Sequence, residues 1–165
     1  MKKILEVIGF FMILGLVACG SSPEGDALAE YHNNYVENVN SLASQVDVEV
    51  QKSFSTESPE ETYKLQTENV LPLIKEVKEH IESMAPESKV VKEIHELRLE
   101  QLTAWEEAFD LQYEALEKTI AAASEGEVND LLTRSDQKLV EAAEFGQKAD
   151  ERLLELAEEH NVTLE

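Results

Sequence analysis

The sequence predicts an all-α protein, an antiparallel up-down four-helix bundle, and three observations lead there. Apolar residues recur at helical spacing from Asp26 almost to the end of the chain. Serine-led start signals divide that pattern into lengths suited to bundle helices. The connections between them are short, which favours antiparallel neighbours. A two-residue alternation occurs only at Val46-Asp47-Val48-Glu49-Val50, too brief and too isolated to build a sheet.

The first helix is expected over residues 26–54, with Leu28, Tyr31, Tyr35, Val39, Leu42 and Val46 on one face. Ser58-Pro59-Glu60-Glu61 then gives a start signal. Ser58 is placed to cap, Pro59 suits the first helical position because its missing N–H is not needed there, and Glu61 can close a capping box. The second helix, over residues 59–84, carries Tyr63, Val70, Ile74, Val77, Ile81 and Met84 on its stripe. Pro72 lies inside it, and its ring must clash with the carbonyl four residues back, so a kink is expected there.

Met84-Ala85-Pro86-Glu87 forms the next turn without a glycine, which leaves one bent helix over residues 59–123 as an alternative. The third helix, over residues 87–123, holds Val91, Ile94, Leu97, Leu102, Trp105, Phe109, Leu116 and Ile120 in helical register. Ser124-Glu125-Gly126-Glu127 offers a second capping box, and the fourth helix follows over residues 125–160. Folding the last two helices back about Ser124 sets Trp105 near Ala142, Ala143 and Gly146, a large ring against small residues.

Composition excludes several functions. The 165 residues carry 14 Lys+Arg against 35 Asp+Glu, a formal charge of −21, and phosphate contacts need clustered cations that are missing here, so no nucleic acid is expected as a partner. One cysteine cannot form an internal disulfide or a cysteine-based metal site. None of His32, His80, His95 and His160 follows a glutamate by three residues, as carboxylate-bridged di-iron bundles require, and no His-Glu-x-x-His occurs. Glycine-rich phosphate loops and a Gly-x-Ser-x-Gly elbow are likewise missing. The reading is of a protein that is not an enzyme, with no catalytic residue and no metal site.

Tyr31, His32 and Tyr35 lie within one and a half turns of the first helix and form a weak candidate binding surface, since aromatic rings with polar tips serve interfaces. Tyr63 and Tyr113 would extend it into an aromatic lining if their helices cross nearby.

The N-terminus sets the expected address. Lys2 and Lys3 precede an apolar run from Val7 to Val17, which is shorter than the ~20 residues a spanning helix wants but suits a signal peptide over residues 1–18. Leu16-Val17-Ala18-Cys19 follows, then Gly20-Ser21-Ser22-Pro23. These residues resemble the lipobox of bacterial lipoproteins. The resemblance implies cleavage before Cys19, a diacylglycerol on its sulfur as the only attached group, and a lipidated tether over residues 19–25 ahead of an acidic helical domain over residues 26–165. It implies a place on the outer face of the cell membrane. In an organism with an outer membrane, Gly20 lacks the aspartate associated with inner-membrane retention, and the outer membrane is then implied. In size, anchor and helical content the mature part also resembles small, uncharacterised helical lipoproteins of Gram-positive bacteria. Two functions are carried forward. The first is a non-enzymatic, membrane-anchored protein acting through a protein partner or other envelope contact. The second is a lipoprotein that binds a small ligand or metal ion in the bundle interior or at the Tyr31/Tyr35 end.

Overall fold

The computed structural model describes residues 22–164. The expected signal peptide, lipobox and Cys19 lie outside them. The described chain is all-helical and carries no strand; Val46 to Val50 are part of a helix, with Val46 buried and Val48 exposed.

The first rod consists of α1 (Pro23–Asn34), a π-helical turn (Tyr35–Asn40) and α2 (Ser41–Ser53). It starts at Pro23 rather than Asp26, because Ser22 caps it by accepting from the Gly25 N–H at 3.0 Å and Pro23 fills the first helical position. Residues 23–25 of the expected tether are therefore helix. The wide turn frees the Asn34 carbonyl from its usual partner, and the Asn38 side-chain amide donates to it at 3.2 Å. A side chain inserted into the ladder in this way stabilises a π turn.

The second rod runs through α3 (Pro59–Leu65), a second π turn (Gln66–Val70) and α4 (Leu71–Ser83). Ser58 caps it as expected, accepting from the Glu61 N–H at 3.2 Å, but the reciprocal Glu61 bond of a full capping box is not formed. The conflict expected at Pro72 is with the carbonyl of Glu68, which lies in the π turn. Widening the turn ahead of the proline relieves that clash.

Residues between Ser83 and Lys89 break the chain, so the single bent helix is not formed, and α5 (Lys89–Ile120) is separate. It ends before residue 123 in a Schellman closure: Ala123 N–H reaches the Lys118 carbonyl at 2.9 Å, and Ala122 takes the left-handed conformation at φ 53°. α6 (Glu125–His160) has the expected bounds and a complete capping box of Ser124 and Glu127.

Side-chain pairs give the direction of each neighbour. Arg98 meets Asp150 and Gln112 meets Ser135, so α5 and α6 run oppositely. Gln66 meets Ser53 and Asn69 meets Glu49, so the two rods run oppositely as well. Lys78 on Glu106 and Tyr63 on Glu117 set the second rod antiparallel to α5. Leu28, Val46, Val70, Val91 and Ile94 form the fully buried centre. α5 and α6 share the most extensive contact, because buried Ala104, Ala108, Ala115, Ala142, Gly146 and Ala149 let their backbones approach. α2 packs on the second rod, and none of its Cα atoms comes within 8 Å of α5 or α6. A groove is left along that side.

Candidate functional site

The groove has its polar end at Arg98. This residue occupies a core position of α5, one turn from Ile94 and one from Leu102, and is 7% exposed. Its guanidinium lies 4.3 Å from the centre of the Tyr35 ring, a cation–π arrangement strengthened by burial. One terminal nitrogen donates to Gln101 Oε1 at 2.9 Å, the other to the carboxylate of Asp150, and Nε has no partner. Asp150 itself is mostly exposed, so the pair runs from the interior of the bundle to its surface.

One turn towards the start of α5, the Tyr31 hydroxyl is 3.3 Å from His95 Nδ1, and the two rings meet edge to face at 6.0 Å. Burial pushes both tyrosine hydroxyls, Tyr31 and Tyr35, above the ordinary phenol range, because the charged form loses solvation. Burial also holds His95 below the usual imidazole value, opposed by the Glu96 carboxylate. His95 is therefore a neutral ring near pH 7, part of the core.

Two cavities line the groove. The first, about 310 Å³, is bounded by Tyr35, Arg98, Gln101, Trp105, Ala142 and Ala143. The second, about 410 Å³, is mostly apolar, with Val50, Phe54, Phe109, Leu116 and Leu132 in its walls beside Asp47 and Gln112. Asp47, Trp105 and Leu139 belong to both, so the cavities adjoin at Trp105. That ring packs edge to face on Phe109 at 5.0 Å and 80°, and the residue as a whole is half-buried. Phe54 and Leu132 keep 58% and 42% of their surface exposed on the groove wall, which is costly for large apolar groups left in water.

The expected juxtaposition of Trp105 with Ala142 and Ala143 is present, but across a cavity rather than in tight packing. The close approach is at Gly146, one turn away, where an added Cβ would stand 2.7 Å from Gln101 Nε2. Of the expected tyrosine surface, Tyr31 and Tyr35 enter the buried polar pairs, and the half-buried His32 joins neither. Tyr63 and Tyr113 do not extend this lining. Tyr63 donates to Glu117 at 2.8 Å, and Glu117 is 19 positions beyond Arg98 on α5, about 28 Å at 1.5 Å per residue. The hydroxyl of Tyr113 is buried without a partner.

Arg98, Gln101 and Asp150 are the groups the sequence reading missed. The signal was present: Val91, Ile94, Arg98, Leu102 and Trp105 continue one heptad stripe, and a cation on a stripe needs either a partner or an exit to water. Leu97, read as the stripe residue, is only half-buried.

Among the described residues, no group of three or more His, Cys, Asp or Glu is placed to hold a metal ion, and no helix is long and apolar enough to cross a membrane. Chemically, the groove offers a largely apolar, aromatic wall next to the Arg98–Asp150 pair. Comparison with protein-family models, with curated proteins and with solved structures returns no match to this chain.

Proposed function

We propose that this protein is a non-enzymatic lipoprotein, held at the outer face of a membrane by a lipid on Cys19 and acting through a protein partner or another envelope component. Its helices close as an antiparallel up-down four-helix bundle, the arrangement favoured by the opposite directions of its neighbouring rods. The observation that carries the reading is the sequence Leu16-Val17-Ala18-Cys19 behind a short apolar run. Pro23, the start of α1, is four residues on from Cys19, a span of at most about 14 Å when extended. The bundle end formed by the start of α1 and the end of α6 then lies against the lipid surface, with the remaining length standing away from it.

Fractionation of cells carrying Cys19→Ser tests the anchor. The parent is expected in the membrane fraction and the variant, still folded, in the soluble extracytoplasmic fraction. Retention of the variant in the membrane at parental levels would overturn the lipid-anchor reading.

A second reading, binding of a small ligand within the bundle, is favoured by the groove at Arg98 and Trp105. A ligand that selects the folded state raises the unfolding temperature.

A further inference from the structure

We propose that the groove beside α2 is the docking site for one amphipathic helix of a partner protein, a helix whose apolar face covers Phe54 and Leu132 and whose flank is basic. This rests on the first reading above, action through a protein partner, and names the chemistry of that partner. It does not use the anchor at Cys19.

The wall that receives the helix is already open to water. Phe54 at the end of α2 and Leu132 near the start of α6 stand on the same cavity and keep 58% and 42% of their surface exposed. Trp105, Leu116, Val128 and Leu139 around them are half-buried. No Cα atom of α2 lies within 8 Å of α5 or α6, although helices in direct contact pack with their axes only ~8–10 Å apart. On the floor of the groove, Trp105 and Thr119 of α5 mark the two ends of this cavity, about 21 Å apart at 1.5 Å per residue, the length of a helix of about 14 residues. The walls are themselves helices, whose main-chain groups are satisfied internally. An extended peptide would find no sheet edge to pair with and would lay unmet N–H and C=O groups over apolar side chains. A helix brings its own backbone bonds and presents an apolar stripe at i, i+3, i+4 and i+7.

Charge selects the flank. Among the described residues, Asp47 is the only charged one on the wall of this cavity, and it is exposed. Exposed Glu125 lies one turn before Val128, and exposed Asp136 lies one turn after Leu132 and one before Leu139, so both stand on the rim. The nearby cations are turned away. Lys52, Lys118 and Arg134 stand two residues, about 200° of helix, from Phe54, Leu116 and Leu132 respectively. Lys52 is paired with Glu49, Arg134 with Asp130, and Lys138 with Glu107 and Glu141. Arg98, beyond Trp105, is held by Gln101 and Asp150. An apolar groove with an acidic rim is complementary to a helix that carries Lys or Arg beside its apolar stripe. A second copy of this chain would bring a formal charge of −21 against that rim, and like charges facing each other oppose association.

Trp105 is the only tryptophan in the chain, so its fluorescence reports contact in the groove. The full-length protein, reconstituted in phosphatidylcholine nanodiscs, is titrated with a Leu/Lys amphipathic peptide of about 14 residues bearing one 4-bromophenylalanine on its apolar face, and separately with the same peptide carrying Glu for Lys. Bromine quenches at contact, and peptide adsorbed on the lipid stays out of reach, since Trp105 stands roughly 28 Å from the start of α1, counted along α1 to Tyr35 and then along α5 from Arg98. Saturable quenching is expected with the Lys peptide, at about tenfold lower concentration than with the Glu peptide and weakening as salt is added. Phe54→Ser combined with Leu132→Ser should weaken it by about tenfold or more, because both side chains lose their burial against the peptide. Val48→Ser, equally exposed but about 200° around α2 from Val50, should leave it unchanged, and circular dichroism should show parental helix content in every variant. Equal quenching of the parent and the Phe54/Leu132 double variant would overturn the groove as the docking site while leaving action through a partner in place. Equal affinity for the two peptides would overturn the basic flank, and absence of saturable quenching by either would overturn the docking helix. Quenching by brominated phosphatidylcholine acyl chains without peptide would place the groove in lipid and overturn the protein partner itself.

Discussion

Replacing Asp150 with alanine removes the carboxylate that Arg98 reaches from the interior, and the cost follows from how unequally the two are buried. The Arg98 side chain is 8% exposed and that of Asp150 64%. At about 4 Å and an effective dielectric of 20, the gross attraction is ~4 kcal/mol; solvent around Asp150 screens a large part of it. The greater loss in the variant is a buried guanidinium with one fewer acceptor, which costs about 1.5–3 kcal/mol. Asp150→Ala is therefore expected to destabilise by about 2 kcal/mol. Arg98→Met removes the charge and keeps much of the volume, so it should be close to neutral or stabilising, as for other buried ion pairs replaced by apolar groups. Adding Asp150→Ala to Arg98→Met should then cost under about 0.5 kcal/mol, since an exposed carboxylate with no partner contributes little. Urea unfolding followed by far-UV circular dichroism measures all three variants, with the slope checked for constancy. The reasoning fails if Asp150→Ala costs the same with and without Arg98.

Three further outcomes are expected. Burial holds folded His95 below its ordinary value of 6.5, so from about pH 6.5 downward the unfolded chain binds the proton first and stability falls with pH; the urea midpoint should drop less between pH 7.5 and 5.5 in His95→Gln than in the parent, and equal drops would refute it. Gln66 is 1% exposed, and its Oε1 has no partner although its Nε2 donates to Ser53; Gln66→Leu should gain about 1 kcal/mol in the same assay, because an unmet acceptor costs more than the one bond lost. Ala122 holds φ at 53°, a left-handed conformation that costs an L-residue about 1–2 kcal/mol, so Ala122→Gly should raise stability by about 1 kcal/mol after the entropy of glycine is set against it. A melting temperature unchanged or lowered in Ala122→Gly would count against that strain.

Local chemistry made some boundaries legible and hid others. α6 begins and ends where the sequence placed it, because Ser124 and Glu127 satisfy each other's backbone groups and Asn161 tolerates the left-handed closure at its end. Ser22-Pro23 has the same cap-and-proline chemistry as Ser58-Pro59, yet reading it as tether moved the start of α1 by three residues. The π turns at Tyr35–Asn40 and Gln66–Val70 were not legible from stripe spacing, since one wide turn shifts the register by less than the scatter of an apolar face. Pro72 was the one local clue, and the chain answers it with a wider turn upstream. The site was hidden for another reason. Arg98 counts as a surface residue by type, and only the position of Ile94 and Leu102 on either side marks it as interior. The groove depends on α2 standing away from α5 and α6, a tertiary spacing that no local pattern records.

The two ends of the described chain are joined: Ser22 Oγ is 3.2 Å from His160 Nδ1, and Gly25 leaves no room for a Cβ beside Val162, which would stand 2.7 Å away. This makes the molecule a ruler with both handles at one end. A fluorophore attached after Leu164 stays beside the start of α1, while one inserted at Gly126 stands at the far end of a 36-residue helix, about 54 Å along its axis. Energy transfer from each position to a dye in a supporting bilayer would read tilt as well as height, and the same geometry lets a cargo fused at the C-terminus sit against whatever surface holds the N-terminus.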